Sequence, residues 1–182
     1  MNDPTPNPQT VLDFWFVENG PPQWFAKDAA FDAAIVSRFA ETRRSALAGE
    51  LWQWRKTPRG ALAEVIVLDQ FSRNMFRDDP RAFAADPLAL CLAQEAIARG
   101  QDVALDDRER PFLYMPFMHS ESRRIHEEAV KIFAGMGMTF DYELKHKAII
   151  DRFGRYPHRN AALGRQSSEE ELAFLQTPGS RF

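Results

Sequence analysis

Three observations predict an all-α fold of antiparallel helices joined by short loops. Residues that start and stop helices recur along the chain, apolar residues between them repeat at helical spacing, and no two-residue hairpin signal separates alternating runs. With 182 residues, 45% hydrophobic and 12% aromatic, the chain is large enough to bury a core without disulfides or a structural metal. Residues 11–182 are expected to form a single all-helical domain. The first ten residues are expected to be mobile.

Taken in order, Thr10 is positioned to cap a first helix carrying Val11, Leu12, Phe14 and Trp15, which the Gly20-Pro21-Pro22 turn then ends. A long second helix from about Asp28 to Ala48 places Phe31, Ile35, Phe39 and Leu47 on its apolar side, and Gly49 stops it. Thr57-Pro58 is a cap followed by proline at the first helical position, opening a third helix to about Phe76. Asp86-Pro87 repeats that signal for a fourth helix, which Gly100 terminates. Pro111 to Met118 predicts one or two turns bounded by Pro116, Ser120 begins a helix through about Phe133, and Thr139 begins another that ends at Gly154. Ser167 or Ser168, followed by three glutamates, opens the last.

A net charge of −3 and a pI near 5.8 argue against nucleic acid as a partner, because counterion release needs many cationic side chains on one surface. Cys91 is the single cysteine. It lies in the run LALCLA, reads as buried packing, and excludes both an intramolecular disulfide and a thiolate zinc site. No metal site is predicted. The N-terminal stretch lacks the order of a signal peptide and no apolar run approaches a membrane span, so a cytoplasmic protein that meets no membrane is expected.

The third helix, ALAEVIVLDQFSRNMFR, is apolar on almost every side from Ala61 to Phe71 and is expected to be central. Asp69, Arg73 and Arg77 nevertheless recur at intervals of four along it, with Gln70 and Asn74 on the neighbouring row. The strip is either a local Asp69–Arg73 ion pair or the lining of a cleft, since charges on a buried helix must be paired or reach water.

MPFMHSESRR sets His119, Ser120 and Glu121 at a loop-to-helix junction. Imidazole beside carboxylate suits acid-base chemistry, while Ser120 and Glu121 also suit an ordinary helix start. The row Tyr142, His146, Ile149, Phe153 has the spacing of a core-facing stripe, so His146 is either a hydrogen-bonded core residue or part of a cavity wall. RFGRYPHRN, residues 152–160, packs three arginines, His158 and Asn160 around Gly154 and Pro157. Arg155 and Arg159 have the forked geometry that grips phosphate or carboxylate. The same arginines are equally suited to cap helix ends and pair with Glu169, Glu170 and Glu171.

LDQFSRNMFR, AFAADPLA, ERPFLYMPFMHSE and RFGRYPHRNAALGR followed by SSEEELAFL together resemble the bacterial family known as domain of unknown function 924, over nearly the whole chain from about Val11. The resemblance implies an all-helical, tetratricopeptide-like right-handed array of hairpins, although the tetratricopeptide signature itself is absent. It implies no activity. Ser72 stands where the family's central motif is expected to carry proline, and Tyr156 where phenylalanine is usual.

The residues support a site for an anionic small molecule, formed by Gln70, Arg73 and Asn74 with His119, Glu121, His146, Arg155, His158, Arg159 and Asn160. Arg155 and Arg159 would hold the anionic group, and His119 or His158 would act as acid or base with Glu121 orienting an imidazole. Two alternatives stand beside it: a groove for an acidic peptide, and a polar network that only fixes helix order.

Overall fold

Asp28 begins the longest helix: its carboxylate accepts the N–H groups of Ala30 and Phe31 at 2.8 and 3.1 Å. The computed structural model describes residues 6–180, and every regular element among them is helical. The main helices are α1 (Pro8–Leu12), α2 (Pro21–Trp24), α3 (Ala29–Leu47), α4 (Pro58–Ile66), α5 (Ser72–Met75), α6 (Asp86–Ala98), α7 (Arg110–Met118), α8 (Arg123–Ile132), α9 (Met138–Phe153) and α10 (Glu169–Phe174). No helix among the described residues is long and apolar enough to cross a membrane.

Local chemistry accounts for most boundaries. Thr57 caps α4 by accepting the Gly60 N–H at 3.1 Å, with Pro58 in the first turn. Gly60 is required there, since a β-carbon would stand 2.0 Å from the Trp54 carbonyl oxygen. Gly154 closes α9 in the left-handed conformation, φ 71°. Ser168 and Glu171 form a reciprocal capping box at α10.

Several boundaries differ from the sequence expectation. The first helix is capped by Asn7, three residues before Thr10, and it runs on through a π-helical stretch, Asp13–Glu18. Gly20-Pro21-Pro22 starts the short α2 instead of a simple turn. The third predicted helix is continuous from Pro58 to Met75 but widens to a π-helical turn at Val67–Phe71. Pro116 sits inside α7, and α8 is capped at Ser122, not Ser120. Cys91, expected to be buried, is exposed. The stripe that α6 buries is Ala89, Leu92, Ala93 and Ala96, and Cys91 falls between its rows. Leu47 is likewise exposed, and Ala46 takes the inward position.

Contacts within the chain define two compact units. The described residues up to Arg77, with Arg81–Pro116, form the first; Asp78–Pro80 and the described residues from Phe117 form the second. In the first unit α4 packs against α1 and α6. Its core is aromatic: Trp15 is fully buried and contacts Trp24, Phe31, Phe71 and Phe112, while Phe14 meets Phe31, Phe39 and Phe71. Trp24 ties this cluster to the backbone by donating its indole N–H to the Trp15 carbonyl at 2.8 Å. In the second unit α8 and α9 pack as a hairpin, and Ile149, Ile150 and Tyr156 form a core joined by Phe153 and Phe174.

Candidate functional site

In the first unit, the polar strip on the central helix is engaged by its neighbours. Arg73 grips Asp86 of α6 with two bonds of 2.9 Å and reaches Asp69, one turn back, at the same distance. Gln70 donates to Asp69 at 2.5 Å and lies 3.2 Å from the Met115 sulfur. Asn74 donates to Asp32 of α3 at 2.8 Å, and Arg77 pairs with the same carboxylate. Thus the Asp69–Arg73 pair foreseen from the spacing forms, extended by acids from α3 and α6.

The second unit contains all four histidines of the chain, and they gather around Tyr156. The Tyr156 hydroxyl donates to the Met118 carbonyl at 2.5 Å and lies 3.1 Å from Nε2 of His126. The His146 ring stands 5.7 Å from the Tyr156 ring, the His158 ring 5.5 Å from it, and the His119 ring 6.4 Å from His146. The Arg159 guanidinium covers the Tyr156 ring at 4.5 Å, although Arg159 is only 6% exposed.

Helix α9 supplies two of the central groups. His146 donates from Nδ1 to the Tyr142 carbonyl at 2.8 Å. Burial pushes its pKa down to about 3, helped by the charges of His119, His126 and Arg159, so it is a neutral imidazole at physiological pH. Glu143 meets His126 of α8 at 2.7 Å, and both are fully buried. His126 Nε2 lies 2.8 Å from the Ser120 carbonyl. Burial raises the Glu143 carboxyl above its ordinary range, with the His126 hydrogen bond opposing.

The bend itself is held by acids. Arg155 forms a bidentate pair with Glu171 at 2.6 and 2.8 Å and also donates to the Gln166 carbonyl. That pairing holds the Glu171 carboxyl down at about 2. Arg165 grips Glu121 with bonds of 2.6 and 2.9 Å, and Glu121 also accepts the Tyr156 N–H at 2.7 Å. Burial would raise the Glu121 pKa, but Arg165, the Tyr156 N–H and the Arg159 charge outweigh it and leave the carboxyl below its ordinary value. Asn160 donates to Ser167 and Glu171 and accepts from Arg165.

Among the sequence-derived candidates, His119, Glu121, His146, Arg155, His158, Arg159 and Asn160 therefore lie in the second unit, and Gln70, Arg73 and Asn74 in the first. The carboxylate beside an imidazole is Glu143 with His126; Glu121 is engaged by Arg165. Sequence reasoning missed Tyr156 as the hub and the His126–Glu143 pair, whose members lie on two helices with no recognisable motif between them. Among the described residues, no group of three or more His, Cys, Asp or Glu side chains is arranged to hold a metal.

The fold and this network define an all-helical protein with a histidine-rich polar core in its second unit. Residues 11–179 match the family described as "Bacterial protein of unknown function (DUF924)", and the chain belongs to that family. It is similar to a solved structure, the protein of unknown function ATU0120 from Agrobacterium tumefaciens, with 39% sequence identity and a TM-score of 0.90 over 93% of this chain and 96% of that one. No curated protein matches.

Proposed function

We propose that the second unit holds a site for a small anionic molecule, with Arg159 as its cationic anchor and His119, His146 and His158 as its imidazole wall. The observation that carries this reading is the convergence of a buried guanidinium and the imidazoles on one tyrosine, Tyr156. Arg155 leaves the proposed anchor, because Glu171 neutralises it. The half-buried His119 and His158 are the groups suited to acid-base chemistry on the ligand. His146, held neutral, supplies a polar surface and not a charge.

The bidentate pairs Arg155–Glu171 and Arg165–Glu121 favour a second reading, in which residues 155–165 are a structural clasp. Melting Arg159→Gln and the unmodified protein with a panel of carboxylates and acidic peptides separates the readings. A ligand site predicts stabilisation by a small carboxylate that is lost in a folded Arg159→Gln variant. Strong destabilisation of the variant, with no anion response in the unmodified protein, establishes the clasp and removes the site. Stabilisation by peptide alone favours a peptide groove.

A further inference from the structure

Helix α9 in the second unit is covered unevenly along its length. Its last turns are packed: Ile149 and Ile150 belong to the core, the Phe153 ring meets Phe174 at 5.1 Å, and Arg152 pairs with Glu170 of α10. Its first turns fully bury only Glu143 and His146. The opposite side is open to solvent and is not merely polar. Of the ten large hydrophobic side chains exposed among the described residues, three fall within seven residues of α9: Met138 at 78%, Tyr142 at 51% and Leu144 at 42%. Single exposed apolar residues are ordinary, but such a cluster on one helix marks an interaction surface.

The spacing makes them one surface. Met138, Asp141, Lys145 and Ala148 stand at intervals of three, four and three, the alternation by which a helix presents a seam to another helix. Tyr142 borders that seam on one side and Leu144 on the other. All six residues are exposed. The two charges on the seam are opposite in sign and are not neutralised within the chain: Asp141 makes no ion pair among the described residues, and Lys145 lies over the Tyr142 ring at 5.0 Å and meets no carboxylate among them.

We propose that this face of α9 binds a second copy of the chain, antiparallel, about a two-fold axis level with residue 143. Reversal about residue 143 exchanges position 141 with 145 and position 138 with 148. Asp141 of each copy then faces Lys145 of the other, Met138 lies on Ala148, and the Tyr142 and Leu144 pairs close the seam on either side of the axis. A parallel copy in register would set Asp141 against Asp141 and Lys145 against Lys145, so the charges select the antiparallel arrangement. A face of about three helical turns buries less than the roughly 1,200 Å² of a stable interface, so the dimer is weak and concentration-dependent. The contact does not rest on the site proposed at Tyr156.

Sedimentation velocity over a wide concentration range tests the contact on the full chain. The unmodified protein is expected to dimerise reversibly. Asp141→Lys or Lys145→Asp puts two like-charge pairs into the contact, and each should raise the dimer Kd about tenfold or more. Both positions are exposed, so the variants keep the fold, which circular dichroism checks. An equimolar mixture of the two variants restores both opposite-charge pairs and should dimerise as the unmodified protein does. The double variant Asp141→Lys/Lys145→Asp should do the same. A protein that is monomeric at every concentration, a dimer indifferent to both charge reversals, or a mixture that stays monomeric would overturn the proposal.

Discussion

The imidazole of His126 and the carboxyl of Glu143 meet at 2.7 Å with neither side chain reaching solvent. The Ser120 carbonyl at Nε2 can only accept, so Nε2 carries a proton in every state of the ring. Nδ1 is then the ring atom that meets Glu143, and each group is the buried polar partner of the other.

Removing one partner should therefore hurt far more than removing both. His126→Leu leaves the buried Glu143 carboxyl without its hydrogen bond, and a loss of about 3–5 kcal/mol is expected in urea unfolding. The double variant His126→Leu/Glu143→Leu should recover much of it. Equal losses in the two variants would show that packing, not the pair, dominates.

The same variant has a pH signature. In His126→Leu the lowering influence of the imidazole on Glu143 is gone, and burial, opposed now by the Lys147 charge alone, holds its folded pKa above the unfolded one. The folded state then binds the proton more tightly, so stability rises as the pH falls through the raised value and is lost as it climbs back. Thermal melts between about pH 8 and about pH 5 should show the deficit of this variant shrinking toward acid.

Glu171 predicts the opposite slope. Its carboxyl is held at about 2 against an ordinary 4.5, chiefly by the Arg155 hydrogen bond. Its contribution is present above the ordinary value and disappears as the pH falls from 4.5 toward 2. Glu171→Gln should flatten that acid limb of the melting curve while lowering stability at neutral pH.

Tyr156→Phe keeps the ring that Arg159 covers but deletes the hydroxyl bonded to the Met118 carbonyl. Leaving that carbonyl unsatisfied should cost about 1–3 kcal/mol in denaturant unfolding. A neutral result would mean that water replaces the hydroxyl.

Gly60→Ala tests whether propensity or packing governs α4. Helix propensity alone would favour alanine by about 1 kcal/mol. The clash with the Trp54 carbonyl, 2.0 Å from the added β-carbon, reverses the sign. A net loss of at least ~2 kcal/mol is expected because backbone, not a flexible side chain, must move.

What the sequence determined by itself is the helical content and several of its boundaries. Asp28, Thr57, Gly154 and Ser168 act through bonds or backbone conformations within a turn of themselves, so their effect is written locally. The α3 stripe Phe31, Ile35 and Phe39 was readable and is buried, but the π-helical turns, the last turn of α3 and the covered side of α6 were not readable in that way. Which of Ala46 or Leu47 turns inward, and whether Cys91 is covered, depends on the neighbour that each helix meets. The site divides along the same line. The arginines and histidines of residues 152–160 announce themselves by composition, but whether an arginine is neutralised depends on a carboxylate from elsewhere. Glu171 lies 16 residues from Arg155 and Glu121 44 residues from Arg165. Only the tertiary structure brings His126 to Glu143 and puts Tyr156 at the centre of the histidines, because burial and long-range pairing, unlike capping, are properties of the packed chain.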